Sequence, residues 1–325
     1  MLGLTTSLPR AIATRLSTAT TPQQSYHSKM SQTSRDMTIA ILTCTFNRAD
    51  KLIRCFNSLE QQTDHGFCWY IIDDGSHDNT FEVVNDFKEI SSFRIVFHKQ
   101  ATNNGKHSCL NIGYQLIQET WTLILDSDDM LAKDCIAKLK EAASTKDFRS
   151  DSISFLRMDY LSRKIIGTMN IENHTNYIQR LNSPVSGDKA GMHLTAKAKK
   201  FSFPVFPGET FMSEMPFFLW FGTRFKTKFI NYPGYICEYQ SDGLSSKITN
   251  SRHACPKSTN FVYSCIANTK EISLRSRLKA LINLVRFSDD ISSLNSSTFR
   301  AIALCLLPIA RYYRKFEKRR IGLES

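Results

Sequence analysis

From residue 38 to residue 129 the chain alternates four times between a short apolar run and a longer amphipathic segment, and nothing else in the sequence restricts the fold as much. Residues 38–44 (Thr-Ile-Ala-Ile-Leu-Thr-Cys) read as a first strand. A helix follows from Ala49, with Leu52, Cys55, Phe56 and Leu59 on one face at three-and-four spacing. Residues 67–72 make a second strand, and Ser76 or Asp78 is placed to cap a helix whose Phe81, Val84, Phe87 and Ile90 repeat along one side. Residues 93–97 read as a third strand. Asn104-Gly105-Lys106 opens another helix with Leu110, Ile112 and Leu116 inside, and residues 121–125 form a fourth strand. Strands that alternate with helices in this way predict a parallel, doubly wound sheet.

In such a sheet every strand-to-helix turn opens on the same edge, where ligands bind. Residues 45–48, 73–76 and 126–129 are therefore expected to converge on one crevice. The last of these turns holds Asp126, Asp128 and Asp129. Three carboxylates so close repel one another and lose hydration if buried, so a cation must compensate, and a divalent metal carrying a phosphorylated ligand is an economical one. The same residues also suit a solvated acidic turn in which Asp129 or Ser127 caps the next helix.

The net charge of +12 would suit nucleic acid, a membrane surface or an anionic substrate, but its distribution separates these. From Lys270 onward there are 12 Lys and Arg against 5 Asp and Glu. An excess gathered at the C-terminus argues against a nucleic-acid binder, which spreads its charge over a working face. The nine cysteines contain no Cys-x-x-Cys pair and most lie in apolar runs, as expected of small buried hydrophobes in a reducing compartment. Residues 1–36 carry Arg10, Arg15, Lys29 and Arg35 and no acid before Asp36. They read as a disordered or targeting extension, with organelle targeting one of its two meanings.

Residues 41–48 (Ile-Leu-Thr-Cys-Thr-Phe-Asn-Arg), 72–80 (Ile-Asp-Asp-Gly-Ser-His-Asp-Asn-Thr), 104–107 (Asn-Gly-Lys-His) with Asn111, and 125–129 (Leu-Asp-Ser-Asp-Asp) resemble, in order and spacing, the signatures of the family 2 glycosyltransferases with the GT-A fold. Residues 187–190, 203–209, 211–214 and 238–245 resemble a bacterial-type branch of that family found in polysaccharide biosynthesis, so the resemblance covers residues 38–250. Cys44 departs from the usual Pro or Thr at a turn near the base.

The resemblance implies an α/β, GT-A (Rossmann-like doubly wound) sheet with a C-terminal helical extension. Residues 37–150 would be the nucleotide-sugar-binding half, 151–250 the acceptor half and 251–325 a basic helical region. It implies that Asp74 accepts a hydrogen bond from the nucleobase imide and that Thr45 and Asn47 lie beside the base. Lys106 would meet the diphosphate with its charge and with nearby backbone N–H groups. Asp126 and Asp128 match the Asp-x-Asp acids, Asp126 reaching the ribose or the metal and Asp128 ligating Mn2+ or Mg2+, with Asp129 sharing the ligation or capping the next helix. Glu214 matches the catalytic base of an inverting transfer, and its rivals are Asp188 and Glu209.

Beyond residue 150, residues 153–158 and 164–168 read as hairpin strands, 217–221 as helix and 225–236 as strand. Trp220, Tyr235 or Tyr239 are candidates to stack on a sugar, and residues 241–245 to cover the donor. Farther on, Leu274, Leu278, Ala280, Leu281, Leu284 and Val285 form an apolar stripe ringed by Arg and Lys, and the apolar residues 301–310 run into a basic, aromatic tail. Such sequence fits either a helix lying on an anionic membrane or helices packed on the catalytic domain with a solvated basic end.

The expectation is a cytoplasmic enzyme, at a membrane surface if the C-terminus binds one. It would move a single sugar, UDP-linked, to a glycan or lipid-linked acceptor. The alternative of another class is a catalytically silent nucleotide-sugar-binding protein. A nucleotidyltransferase is disfavoured because residues 43–48 contain no Gly.

Overall fold

The computed structural model describes residues 37–145, 148–171, 174–238, 248–320 and 322. The expected extension at residues 1–36, Tyr239 and the turn at 241–245 lie outside them. Asp36–Ser325 cluster as one compact unit.

The first half alternates β1 (Ile39–Thr45), α1 (Ala49–Glu60), β2 (Phe67–Asp73), α2 (Thr80–Ile90), β3 (Arg94–Lys99), α3 (Lys106–Leu116) and β4 (Trp121–Ile124). β1 pairs in parallel with β2 and β4, and β2 with β3. Side chains along a strand alternate between the two faces of the sheet, and here both faces are covered. Ile39, Ile41, Trp69, Ile71 and Leu123 pack with Leu52, Cys55 and Leu59 of α1 and Val84 and Phe87 of α2. Ala40, Leu42, Tyr70 and Ile72 pack on the other side with Cys109, Leu110 and Tyr114 of α3. Burial on both faces explains why β1, β2 and β4 are largely apolar, whereas the edge strand β3 begins with Arg94 and ends in His98 and Lys99.

The chain continues through β5 (Met130–Leu131), α4 (Cys135–Ala143), β6 (Ser152–Asp159), α5 (Tyr177–Leu181), β7 (Lys189–Leu194), α6 (Thr195–Ala198), α7 (Met215–Gly222), β8 (Thr227–Phe229) and β9 (Tyr235–Cys237). The sheet order is β3-β2-β1-β4-β7-β6-β9-β5, with β8 on β6. β7 enters antiparallel between β4 and β6, pairing Thr122 with His193.

Several local expectations are corrected. Phe81 and Ile90 are 47% and 70% exposed, because α2 covers the margin of the sheet beside the edge strand β3. Leu116 is likewise exposed, and the inner face of α3 is formed by Cys109, Leu110, Gly113 and Tyr114. Asn79 holds the N-cap position of α2 without a side-chain bond, and Asp78 beside it accepts from Thr80 N–H at 3.2 Å, whereas Ser76 is bonded to Asn47 and Asp73 instead. Residues 164–168 contribute only an isolated bridge from Ile165 to Met158, and residues 225–236 break into two short strands. Asp129 caps no helix, since the chain passes into β5 before α4 begins after Asp134.

The C-terminal region is α8 (Ile248–Ala254), α9 (Pro256–Asn268), α10 (Leu274–Phe287) and α11 (Ser297–Arg320). α9 is the shared helix. Its Val262 joins the core beneath α7, while Tyr263 and Ala267 join Leu281, Leu284, Phe299, Ala303 and Leu307 in a separate cluster. Leu274 of the expected stripe is 60% exposed. Among the described residues no helix is long and apolar enough to cross a membrane.

Candidate active site

The turns after β1, β2 and β4 do converge, and backbone and side chains stitch them together. Asp74 N–H donates to Thr45 O at 2.9 Å. Asn47, at φ +51°, donates its N–H to Ser76 Oγ at 2.8 Å and accepts at Oδ1 from His77 N–H at 2.8 Å. The amide expected beside a base thus binds the neighbouring turn instead, and Asn47 is exposed outside the crevice lining. Ser76 is held in turn by the buried Asp73, through its N–H at 3.0 Å and its hydroxyl at 2.5 Å.

These turns wall a cavity of about 570 Å³, within the range of small-molecule and cofactor sites. Its lining includes Thr45, Arg48, Asp74, Lys106, Asp126, Asp128, Asp129, Arg157, Asp188 and Glu238. At one end, Thr45 Oγ1 is buried with no hydrogen-bond partner among the described residues. Asp74 is buried and accepts from Gln100 Nε2 at 2.8 Å, Asn104 N–H at 2.9 Å and Gly105 N–H at 2.7 Å. A carboxylate has about four acceptor positions, so one remains for a ligand's N–H. Burial raises the Asp74 carboxyl above its ordinary value, against the pull of the two backbone N–H groups. Gly105 is required where it stands. Its φ is +87°, and a Cβ there would lie 2.2 Å from Thr210 O.

The acidic turn is met by cations from the chain itself. Lys106 Nζ lies 2.5 Å from Asp126 Oδ1 and 2.5 Å from Glu214 Oε1, so one ammonium joins the acidic turn to the expected base. Arg48 pairs with Asp128 through Nη1. Burial pushes the Asp126 carboxyl up, but Lys106 and Arg157 outweigh it and hold the group at about 2. Burial also works against the charged form of Lys106, and the carboxylates of Asp126 and Glu214 overcome it and raise its value. Asp129 is raised to about 7 by burial and then by the charges of Asp126 and Asp128.

Asp126 and Asp128 are 26% and 20% exposed at the side chain and offer carboxylate oxygens to the cavity, as a hard divalent ion requires. Among the described residues no three His, Cys, Asp or Glu side chains are placed to hold an ion by themselves. The donor set therefore fits an ion bound by two carboxylates and completed by phosphate and water.

Of the rivals to Glu214, Asp188 lines the cavity, whereas Glu209 is committed elsewhere. Its carboxylate accepts from Lys257 N–H at 2.9 Å and Ser258 N–H at 2.7 Å and so caps α9. Tyr235 is fully buried and cannot stack on a sugar; its hydroxyl accepts from Asp126 N–H at 2.9 Å and fixes the acidic turn. Trp220 packs with Phe201 and Phe225 in the core. All nine cysteines are unpaired.

Two site residues carried no assigned role in the sequence. Arg48 was visible only as the last residue of the first turn. Arg157 stands in β6 with its guanidinium 4.3 Å from the centre of the Tyr235 ring, and its placement between Leu156 and Met158 was the available signal.

Known proteins similar to this chain share its fold. The sequence profile of Glycosyl transferase family 2 matches residues 40–184. A PGL/p-HBAD biosynthesis glycosyltransferase of Mycobacterium tuberculosis is 34% identical over 92 residues, 28% of this chain and 36% of the relative. Glycosyltransferase GlyG of Streptococcus pneumoniae is 27% identical over 109 residues, 34% of this chain and 36% of the relative. The matched segments thus span just over a third of these curated relatives. Among solved structures, Staphylococcus aureus TarS in complex with UDP-GlcNAc superposes with a TM-score of 0.59 at 17% identity, covering 88% of this chain and 92% of that one. A mannosyltransferase from Pyrobaculum calidifontis, in complex with GDP-Man and Mn2+, gives a TM-score of 0.50 at 11% identity, covering 86% and 87%. The fold is the GT-A fold with a helical C-terminal part.

Proposed function

We propose that the chain, whose residues 40–184 match the profile of Glycosyl transferase family 2, transfers a single sugar from a UDP-linked donor to a glycan or lipid-linked acceptor with inversion at the anomeric carbon. The observation that carries this reading is the double contact of Lys106, which brings Asp126 and Glu214 to the same ammonium at the wall of the cavity. The groups that would hold a diphosphate and the group that would take a proton are thereby adjacent.

In this reading the nucleobase lies toward Thr45 and Asp74, the latter accepting the imide N–H. Lys106 and Arg48 face the diphosphate and Asp126 the ribose side. Asp126 and Asp128 would hold Mn2+ or Mg2+, which supplies charge neutralisation for the departing nucleoside diphosphate. The acceptor hydroxyl oxygen bonds to the anomeric carbon as the carbon–oxygen bond to the diphosphate breaks, and that electron pair leaves with the diphosphate. Glu214 takes the hydroxyl proton. The basic helices at the C-terminus would keep the enzyme at a membrane surface, where a lipid-linked acceptor is found. The UDP-GlcNAc bound by the structural neighbour TarS supports a UDP-linked donor.

The test is donor hydrolysis. The purified full chain is incubated with UDP-, GDP- and dTDP-sugars, with manganese or with chelator, and released nucleoside diphosphate is read. Release from one UDP-sugar, lost on chelation, is the expected result. Release from a GDP- or dTDP-sugar overturns the donor assignment, release that survives chelation overturns the metal, and donor binding without turnover at any acceptor supports a silent binder.

A further inference from the structure

We propose that the outward face of α11 is an interfacial surface that lies on an anionic lipid bilayer. The inference deepens the reading of an acceptor met at a membrane and rests on that reading for its purpose.

α11 is apolar around more of its circumference than its packing uses. Phe299, Ala303 and Leu307 are buried against α10. On the other side Leu304 is 59%, Ile309 70%, Tyr312 80% and Phe316 59% exposed, and Ile302 and Tyr313 are also exposed. At about 100° per residue these six fall within roughly half a turn of the helix. They form a strip opposite the packed face, with exposed Lys315, Arg319 and Arg320 interspersed toward its C-terminal end, rather than the scattered apolar residues normal on a protein surface.

Charge decides what covers that strip. α11 holds seven Lys and Arg against a single acid, Glu317. Glu317 is buried on the inner side, where it accepts from His253 Nε2 at 2.9 Å and from Arg286 Nε at 3.0 Å. The helix itself therefore presents no carboxylate on its solvent side; Arg311 is paired with Asp289 at 3.2 Å beside it, and Lys315 and Arg319 are exposed along the apolar strip. A second copy of the chain is a poor occupant, because a twofold contact would set this basic helix against itself. An anionic lipid surface satisfies both features, taking the apolar side chains below its headgroups and the cations at them. Tyr312 and Tyr313 have the amphipathic rings that favour that boundary. The Glu317 bonds and the α10 contacts hold the helix in place beforehand, so binding does not have to order it.

The experiment is vesicle flotation of the full chain with phosphatidylcholine alone or mixed with phosphatidylglycerol, in the absence of donor. The chain is expected to float with the anionic vesicles and not with the neutral ones. Ile309→Glu combined with Phe316→Glu should weaken binding by about tenfold or more, since both side chains would enter the boundary region. Lys315→Gln and Arg319→Gln should each weaken it roughly fivefold. All four positions are exposed, so melting temperature and donor hydrolysis in solution should stay at the parent values. The proposal is overturned if the parent chain ignores anionic vesicles, if the double Glu variant binds them equally, or if the strip instead supports concentration-dependent dimers that the same variant abolishes. Donor hydrolysis without vesicles reports separately on the proposed transferase activity, so either reading can fail alone.

Discussion

Two clusters of carboxylates and cations in this protein use the same chemistry in different settings. At the cavity, Lys106 holds Asp126 and Glu214 and Arg48 holds Asp128, with side chains between 20% and 33% exposed. Between α8, α10 and α11, Glu317 is held by His253 and Arg286 with its side chain 11% exposed. Arg48, Lys106, Asp126 and Asp128 of the first cluster line about 570 Å³ of open space, with Glu214 just behind the lining on Lys106, so their partners can be exchanged for a phosphate or a metal ion. In the second, Glu317 and His253 are buried, with Phe287 4.7 Å from the His253 ring, and only Arg286 reaches the surface, 30% exposed. Openness, more than the number of ion pairs, separates a site from a brace. Exposed pairs contribute little to stability, whereas breaking a buried one leaves an uncompensated charge.

The largest expected effects lie at the open cluster and should fall on function alone. Asp128→Ala removes a proposed metal ligand and releases Arg48, so manganese-stimulated donor binding, read by calorimetry, should disappear while the melting temperature hardly changes. Manganese-stimulated binding that persists in this variant would remove Asp128 from the metal assignment. Glu214→Gln should bind donor as the parent does and lose transfer by about 10²–10⁴-fold, the usual contribution of a general base. Near-parent turnover would pass the role to Asp188, the rival acid that lines the cavity.

At the second cluster the effect should fall on stability. Glu317→Ala leaves Arg286 and His253 facing each other without the carboxylate, and by analogy with other broken buried pairs should cost about 3 kcal/mol in denaturant unfolding. The pH dependence has a definite sign. Bonding to Arg286 holds the Glu317 carboxyl below its ordinary 4.5. Burial holds the His253 imidazole below 6.5 even though Glu317 pulls the other way. Both folded values lie below the unfolded ones, so the stability they contribute is present above 6.5 and is lost as the pH falls. Hydrogen exchange in α8 and α11 should therefore quicken on acidification below 6.5; Glu317→Ala withdraws the carboxylate that pulls His253 up and should steepen that dependence, while removing the further loss below 4.5 that Glu317 itself contributes. A pH-independent α11 would mean that this cluster does not brace it.

How much of this the sequence announced follows from the range of the interactions involved. β1, β2 and β4 are buried on both faces, so their apolar runs and the acids and glycines at their ends could be read locally. β7 was not read as a strand, because Lys-Ala-Gly-Met-His-Leu carries no strand pattern and is fixed by partners distant in sequence, on β4 and β6. At the site, Asp74, Asp126 and Asp128 could be picked out because their motifs are contiguous. The meeting of Lys106 with Glu214 joins residues far apart in the chain. The same is true of Tyr235, whose aromatic character suggested a sugar platform until its hydroxyl was found on Asp126 N–H. Apolar content alone could not say which side of α11 packs, since both sides qualify.

Glu209 and Glu214 give the smallest-effect test and the sharpest one, because they lie on one segment and looked alike in sequence. Glu209 bonds the Lys257 and Ser258 N–H groups at the start of α9, where a carboxylate answers both the unpaired donors and the positive end of the helix. Glu209→Ala should therefore cost about 1 kcal/mol of stability, as loss of a helix cap does, and leave donor hydrolysis per folded molecule within about twofold of the parent. Glu214→Gln should do the reverse, sparing the melting temperature and losing the rate. If Glu209→Ala instead lowers the rate at full stability, the carboxylate on α9 belongs to the open cluster, and the boundary between site and brace has to be redrawn through the 209–214 segment.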